Sequence, residues 1–278
     1  MAWHIVSDSS CDLHALSGVS PDIHFTTIPF HITVGPRDYV DDGAIDVDAM
    51  LKDNETSPEA AHTACPSPQL WAEAFAQPGP VLAFTISSNL SGSYNSACAG
   101  RDMILEEEPD KPIAIIDTKA TGPETVLLIR KACALIAEGK AIEEIASDLR
   151  RMAEATHIIF ALASYRNLIK NGRVNRLVGL MAGHLGFWGI GVGDDEGRIA
   201  MRGKARGEKR MIHFLLDEIK ATGLADKAVV ICHCLNEEAA QLLKTALSEA
   251  FSGILVDILP TRGLDSFYAE RHGLIVAY

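Results

Sequence analysis

Basic and aromatic residues are scarce in this 278-residue sequence. It has 25 lysines and arginines against 37 aspartates and glutamates, which gives a formal charge of −12 at pH 7, and aromatic residues make up only 6%. Because an acidic surface repels nucleic acid and anionic membranes, the composition argues against a protein that coats DNA or RNA. The hydrophobic fraction of 47% is nevertheless typical of a globular protein with a substantial core.

Long apolar runs are also missing. The first residues contain no basic stretch, apolar segment and cleavage site in succession, so no secretory leader is predicted. An apolar segment without a charged residue, Leu177–Gly193, holds six glycines and His184. A transmembrane helix needs about 20 predominantly apolar residues, and this segment is too short and too rich in glycine. The sequence therefore predicts a soluble, cytoplasmic protein with no integral membrane segment.

The cysteines follow no disulfide or zinc framework. Cys232 and Cys234 flank His233, but a structural zinc site needs four ligands and no second paired motif is present. Alternation along a buried strand is the simpler interpretation of these residues. We therefore predict free thiols and no metal site.

Signatures of nucleotide binding and of serine hydrolysis are absent as well. Gly189, Gly191 and Gly193 resemble a phosphate-binding turn, but the acidic segment Asp194–Gly197 follows them and repels phosphate. That segment is better interpreted as a hairpin turn between two extended runs. No G-x-S-x-G sequence is present.

Short β-branched or apolar segments alternate with helical patterns along the chain. The predicted strands are His4–Ser7, Phe25–Val34, Val81–Ile86, Ile113–Ile116, Ile158–Leu162, Val229–Cys232 and Ile254–Leu259. The predicted helices are Ser67–Ala76, Tyr94–Glu107, Glu124–Glu138, Ile142–Ala155, Lys209–Thr222 and Glu237–Phe251. This order predicts an α/β fold with largely parallel sheets. We expect two α/β domains, residues 1–156 with a mainly parallel sheet and residues 157–278.

A serine-rich loop, Ser87–Ser96, follows the third predicted strand. The hydroxyls of Ser88, Ser91 and Ser93, with the backbone N–H groups around Gly92, are suited to an anion at a helix N-terminus. Plain capping of the helix explains the same residues equally well.

Other polar segments allow more than one interpretation. Asp8, which ends the first predicted strand, could be a nucleophile or metal ligand, but turn chemistry is favoured because no histidine or glutamate lies nearby at ligand spacing. Ser67 and Pro68 are typical of a helix start, which leaves Thr63 unexplained. One dense basic cluster is open to partner or anion binding and to simple solvation; its members are Arg202, Lys204, Arg206, Lys209 and Arg210.

Eight segments resemble a known family in the right order. They are Ile5–Leu13, Ile28–His31, Tyr39–Gly43, Thr63–Ser67, Ser87–Tyr94, Ile116–Lys119, Leu168–Val174 and Lys204–Arg210. The serine loop S-S-N-L-S-G-S-Y, with T-A-C-P-S upstream, is the most specific combination. The sequence resembles the DegV family of bacterial fatty-acid-binding proteins, the acyl-carrying subunits of fatty acid kinase systems.

The resemblance implies a fatty-acid carrier that is not itself catalytic and needs no cofactor. One long-chain fatty acid would lie in a buried tunnel, with its carboxylate presented to a separate kinase that makes an acyl phosphate. By analogy, Thr63 and Ser91 would hydrogen-bond the carboxylate, with the N–H of Gly92 nearby. Ser88 and Ser93 would face the head group or a partner, as would Arg173 and Arg206. The segment Leu177–Gly193 fits either a tunnel wall or an ordinary core helix and turn.

The C-terminal segment departs from the family pattern. The family closes with G-T-H-x-G-x-G-A-L-G, and counting back from Tyr278 places its histidine on Tyr268 and its two following glycines on Glu270 and His272. We hypothesise that Tyr268 completes the carboxylate site as a neutral donor, unless His272 takes that role.

Two other functions remain open at this point. The first is a small-molecule phosphotransferase that uses Asp8 and the loop Ser87–Ser96. The second is a lipid sensor that binds a fatty acid but has no kinase partner.

Overall fold

The computed structural model describes residues 2–174 and 186–278. Its strands are β1 (Trp3–Asp8), β2 (Ile23–Ile28), β3 (His31–Val34), β4 (Arg37–Val40), β5 (His62–Ala64), β6 (Val81–Thr85), β7 (Ile113–Asp117), β8 (Ile158–Leu162), β9 (Phe187–Gly193), β10 (Ile199–Arg206), β11 (Ala228–His233), β12 (Leu255–Pro260) and β13 (Leu274–Ala277). Its helices are α1 (Val47–Thr56), α2 (Pro68–Phe75), α3 (Ser93–Glu107), α4 (Pro123–Ala137), α5 (Ile142–Ala155), α6 (Arg166–Lys170), α7 (Glu208–Thr222), α8 (Glu237–Ala250) and α9 (Gly263–Ala269). The predicted α/β fold class is confirmed.

The first sheet is parallel throughout, in the order β2-β1-β6-β7. Its central strand β6 is buried at every position and consists of apolar residues and one threonine, as is typical of strands covered on both faces. Because the strands are parallel, the loops that follow β1, β6 and β7 leave the same edge of the sheet. The serine-rich loop and Asp8 lie at this edge.

The second sheet is mainly antiparallel, in the order β10-β9-β8-β13-β11-β12, and only β11 and β12 pair in parallel. The prediction of largely parallel sheets is therefore wrong for this part of the chain. Two features cause the difference: β9 and β10 form a hairpin, and β13 returns between β8 and β11. The predicted hairpin turn is confirmed, with the N–H of Gly197 donating to the carbonyl of Asp194 at 2.8 Å.

The predicted strand Phe25–Val34 is in fact two strands in different sheets. β2 ends at Ile28 and belongs to the first sheet, whereas β3 starts at His31 and pairs with β4 and β5 in a third, antiparallel sheet. Pro29 lies between them and cannot donate a ladder hydrogen bond, so the chain leaves the first sheet there.

Helix α4 lies within the main core, which joins both large sheets. This core includes Phe84 from the first sheet, Leu128 from α4 and Cys232 and Ile275 from the second sheet. The predicted boundary at residues 156 and 157 falls between β7 and β8, where the chain passes from one sheet to the other, and the division into two domains stays a prediction. Within the described ranges, no helix has the length and apolar character needed to cross a membrane.

Candidate functional site

Asp8 is fully buried where β1 ends, and hydrogen bonds surround its carboxylate. It accepts bonds from the N–H and Oγ of Ser10 at 3.3 and 2.5 Å, from Ser93 Oγ at 2.6 Å and from the N–H of Ile86 at 3.0 Å. Burial raises the pKa of Asp8, and these hydrogen bonds oppose the rise. The Ser93 hydroxyl therefore points inward and donates its hydrogen bond to Asp8, so it is not available to a ligand. Asp8 stabilises the turn, as the favoured interpretation expected.

The serine-rich loop also joins the first sheet to the β9–β10 hairpin. Ser87 Oγ donates to the carbonyl of Gly197 at 2.8 Å, and Asn89 Nδ2 donates to the carbonyl of Glu196 at 2.7 Å. Gly197 has a φ of +76°, and a Cβ built there would lie 2.4 Å from Ser87 Oγ. Ser88 is exposed, and its N–H donates to Asp117 Oδ1 at 3.1 Å. Part of this loop therefore holds two sheets together.

Ser91 and Gly92 form the start of α3. Gly92 is the N-cap residue, and the partly buried Ser91 Oγ accepts a bond from the N–H of Ser93 at 3.3 Å. A Cβ at Gly92 would lie 3.5 Å from Cys65 Sγ, so the helix start lies against the segment that carries Thr63. This arrangement is compatible with both helix capping and anion binding. The Ser91 oxygen accepts the bond from Ser93, so the Ser91 O–H group can still donate to an anion.

The hydroxyl groups of Thr63 and Tyr268 lie 2.9 Å apart, although 205 positions separate the residues in sequence. Both side chains are partly buried, and the Arg173 guanidinium carbon lies 5.9 Å from the centre of the tyrosine ring. Burial raises the pKa of Tyr268, while the bond to Thr63 and the charge of Arg173 oppose the rise. Tyr268 is thus a neutral hydroxyl at physiological pH.

The backbone supports the alignment that places Tyr268 at the family's histidine position. Glu270 and His272, where the family has glycines, have φ values of +54° and +73°, a conformation that favours glycine. The side chain of Glu270 accepts bonds from Ser164 Oγ at 2.8 Å and from the N–H of Asn167 at 3.2 Å. His272 is exposed, and the hydrogen bonds described for it involve only its backbone. The structure therefore brings Tyr268, rather than His272, to Thr63.

An apolar cavity of about 70 Å³ begins beside Tyr268 and Leu90 and runs along β8. Its apolar wall includes Phe160, Leu162, Leu168, Ile199 and Ile275. Gly193, the last residue of the predicted tunnel segment Leu177–Gly193, also lines this cavity. The part of that prediction that falls on residues 177–185 lies outside the described residues.

Asp265 lines this cavity, and its carboxyl group lies close to that of Asp12. A Cβ at Gly122, whose φ is +51°, would lie 2.6 Å from Asp265 Oδ2 and 2.9 Å from Asp12 Oδ2. Asp265 Oδ1 accepts a bond from Thr121 Oγ1 at 2.7 Å, and Asp12 Oδ1 accepts one from the N–H of Arg262 at 2.6 Å. Burial raises the pKa of Asp12 to about 7, and burial together with the charge of Asp12 raises that of Asp265. Both shifts favour a proton held between the two carboxyl groups.

The predicted basic residues occupy different places. Arg173 Nε donates to the carbonyl of Leu90 at 3.1 Å, beside the Thr63–Tyr268 pair. Arg206 is exposed at the end of β10, with its guanidinium carbon 5.7 Å from the centre of the Phe187 ring. In the described part of the chain, no contact joins Arg206 to that hydroxyl pair. All cysteines are free, and the described residues contain no group of three or more His, Cys, Asp or Glu side chains placed to hold a metal ion.

Sequence reasoning missed the cavity residues and Asp265. Phe160 and Leu162 lie on a strand whose apolar run indicates burial but not a cavity. Asp265 precedes Tyr268 by one helical turn on α9, but this seven-residue helix carries no long periodic pattern. A search for acidic residues spaced three positions from a candidate site residue would have found it.

Comparisons with known proteins agree with this arrangement. A family model described as "Uncharacterised protein, DegV family" matches residues 2–263. A DegV domain-containing protein of Streptococcus pneumoniae is 36% identical over 278 residues, covering 100% of this chain and 99% of the relative.

Solved structures resemble the chain over its whole length. The fatty acid kinase B3 protein of Streptococcus pneumoniae, loaded with linoleic acid, has a TM-score of 0.97 and 36% identity, covering 100% of this chain and 99% of its own. A DegV family protein of Eubacterium eligens, loaded with heptadecanoic acid, has a TM-score of 0.95 and 34% identity, covering 99% of each chain. The match of the family model, together with a relative of this identity over the whole length, establishes that the chain belongs to the DegV family.

Proposed function

We propose that this protein binds one long-chain fatty acid and presents its carboxylate to a separate kinase in the cytoplasm. The observation that carries the proposal is the Thr63–Tyr268 hydroxyl pair, 2.9 Å apart, at one end of an apolar cavity. Related structures of Streptococcus pneumoniae and Eubacterium eligens proteins hold linoleic and heptadecanoic acid. The acyl chain would occupy the cavity along β8.

The head-group site suits a carboxylate. A buried carboxylate must accept hydrogen bonds or it becomes protonated. Thr63, Tyr268 and Ser91 supply hydroxyl donors, and the start of α3 at Gly92 supplies backbone N–H groups and the positive end of a helix dipole. Arg173 adds a cation without lying in the cavity. A set of neutral donors binds the carboxylate and leaves it accessible for transfer chemistry.

The apolar cavity provides most of the driving force. Burial of one methylene contributes about 0.8 kcal/mol, so a chain of about sixteen carbons contributes roughly 12 kcal/mol before ordering costs. The surface exposed inside the cavity is mainly apolar, with aliphatic and phenylalanine side chains along its length. It therefore favours a hydrocarbon chain over a polar metabolite.

The geometry of Asp8 argues against the phosphotransferase alternative. Its carboxylate is buried and accepts bonds from Ser10, Ser93 and Ile86, so it is neither accessible nor free to act as a nucleophile. We therefore propose that the chain is not catalytic and that acyl phosphate formation requires the kinase. The lipid-sensor alternative differs only in the absence of that kinase.

Mass spectrometry of lipid extracted from the purified, denatured protein tests the proposal. The wild type should carry a fatty acid, and the double variant Thr63→Ala/Ser91→Ala should lose most of it. The matched control, Thr245→Ala/Ser248→Ala, changes the same residue types at exposed positions of α8 and should keep the ligand.

Three results would redirect the assignment. Equal occupancy in the Thr63/Ser91 double variant, with an unchanged circular dichroism spectrum, would refute the carboxylate site. Nucleotide turnover by the chain alone would favour the phosphotransferase. Fatty-acid binding without acyl phosphate formation by any cognate kinase would favour the sensor.

A further inference from the structure

A second cavity, of about 420 Å³, adjoins the apolar cavity. The two share the wall residues Lys119, Ile158 and Gly193. The second cavity is polar, with a lining that includes Glu124, Glu154, Thr156, His157, Asp194 and Asp195. A polar cavity therefore borders the apolar one.

The polar cavity lies at the end of the apolar cavity that is remote from Tyr268. A Cβ at Gly273 would contact both Ala269 and Leu162, so Leu162 marks the end of β8 near α9. Ile158, which borders the polar cavity, is at the other end of this five-residue strand. Four residue steps at about 3.3 Å each separate the two ends by roughly 13 Å. A fatty acid with its carboxylate at Tyr268 would direct its methyl end toward the polar cavity.

Glu124 is the unusual residue in this cavity. It lies in the first turn of α4, is only 3% exposed and has no hydrogen bond or ion pair among the described residues. Burial alone raises its pKa well above the usual value and so favours the protonated form of the carboxyl group. An acid in the first turn benefits from the helix dipole, but an exposed glutamate would gain the same benefit. The helix dipole therefore does not explain why Glu124 is buried without a hydrogen-bond partner among the described residues.

A buried carboxyl group in a cavity favours a hydroxyl group as its partner. The carboxyl group accepts hydrogen bonds when ionised and also donates one when protonated, and a hydroxyl group can pair with either form. A divalent cation is disfavoured because the described residues contain no group placed to hold a metal ion. A hydroxyl group of a bound molecule would give the Glu124 carboxyl group a hydrogen-bond partner, which it lacks among the described residues.

We propose, building on the proposed function, that the polar cavity receives the far end of the acyl chain and that Glu124 hydrogen-bonds a hydroxyl group there. The ligand class is then a long-chain fatty acid hydroxylated at or near its methyl end. An unsubstituted chain of the same length leaves Glu124 unpaired. The carboxylate site is the same for both kinds of ligand.

Competition with a fluorescent fatty acid tests this specificity. The probes are ω-hydroxy fatty acids of several chain lengths, each compared with the unsubstituted acid of equal length. At the length that reaches Glu124, the wild type should bind the hydroxylated acid about tenfold more tightly. Glu124→Gln should keep most of this preference, because an amide also donates and accepts, whereas Glu124→Leu should abolish it. Glu143→Leu, at an exposed first-turn glutamate of α5, is the matched control and should change nothing.

The wild-type comparison alone can overturn the proposal, even where Glu124→Leu fails to fold. Equal affinity for hydroxylated and unsubstituted acids at every length would refute it. A preference that survives in folded Glu124→Leu would refute the role of Glu124. Failure of the wild type to bind either kind of acid would refute the proposed function itself, and this result is distinct from loss of selectivity.

Discussion

Removal of one hydroxyl group tests how the carboxylate is held. Tyr268→Phe keeps the ring, which packs edge-on against Phe267 at 5.0 Å and lies beside Arg173. It removes only the oxygen that lies 2.9 Å from Thr63 Oγ1. The folded protein then loses one partly buried hydrogen bond, a cost of about 1 kcal/mol. We expect the variant to fold with a small decrease in thermal stability.

The expected effect on ligand affinity is larger. A hydrogen bond to a charged group contributes about 1.5–3 kcal/mol, so loss of the Tyr268 donor should weaken fatty-acid binding roughly tenfold to a hundredfold. Thr63→Val should have a similar effect. Because the two hydroxyl groups bond to each other, the double variant should lose less than the sum of the two single effects.

Displacement of a fluorescent fatty acid, measured across the neutral pH range, provides the assay. Burial raises the pKa of Tyr268 above its usual value near 10, so the donor stays neutral and affinity should show no histidine titration. Unchanged affinity of Tyr268→Phe would refute the donor role. A titration near pH 6.5 that His272→Ala removes would assign the role to His272.

Other features lead to separate predictions. His272→Gly should raise the free energy of unfolding by up to about 1 kcal/mol in urea titrations and leave fatty-acid affinity unchanged, because glycine adopts its φ of +73° without strain. The pKa of Asp12 is raised in the folded state to about 7. Protonation of Asp12 therefore contributes fully to the free energy of unfolding below the unfolded pKa of 3.8, and this contribution is lost as the pH rises through 7. Asp12→Asn should flatten this decline, which has a slope of about 1.4 kcal/mol per pH unit, in urea titrations at several pH values; an unchanged slope would contradict the shared-proton pair with Asp265. Arg206→Ala should keep fatty-acid affinity and melting temperature but reduce acyl phosphate formation by the kinase, whereas joint loss of lipid and stability would indicate a structural role.

Local patterns were sufficient for much of the secondary structure. Helices such as α2, α5 and α7 agree closely with the predicted ranges, because an apolar face at helical spacing and a cap such as Ser67 act within a few residues. Buried strands such as β6 and β8 appear as short apolar runs for the same reason. The short elements β4, β5 and α9 carry too few residues for a periodic pattern and were missed.

Motif order identified the family, and the spacing from the C-terminus located its altered segment. The positive φ values of Glu270 and His272 show that the backbone there has the conformation expected for the family's glycines. Counting back from Tyr278 was therefore sufficient to propose Tyr268 for the family's histidine position.

The sequence by itself determined the fold class, the parallel first sheet, the hairpin turn at Asp194–Gly197 and the family. Each of these follows from the spacing of residue types along the chain. Only the tertiary structure decided the antiparallel second sheet, the inward bond from Ser93 to Asp8 and the contact between Thr63 and Tyr268. These features depend on which distant segments pack together, and on the burial that results. Hydrogen-bond partners and pKa values change with that burial, so no local pattern specifies them.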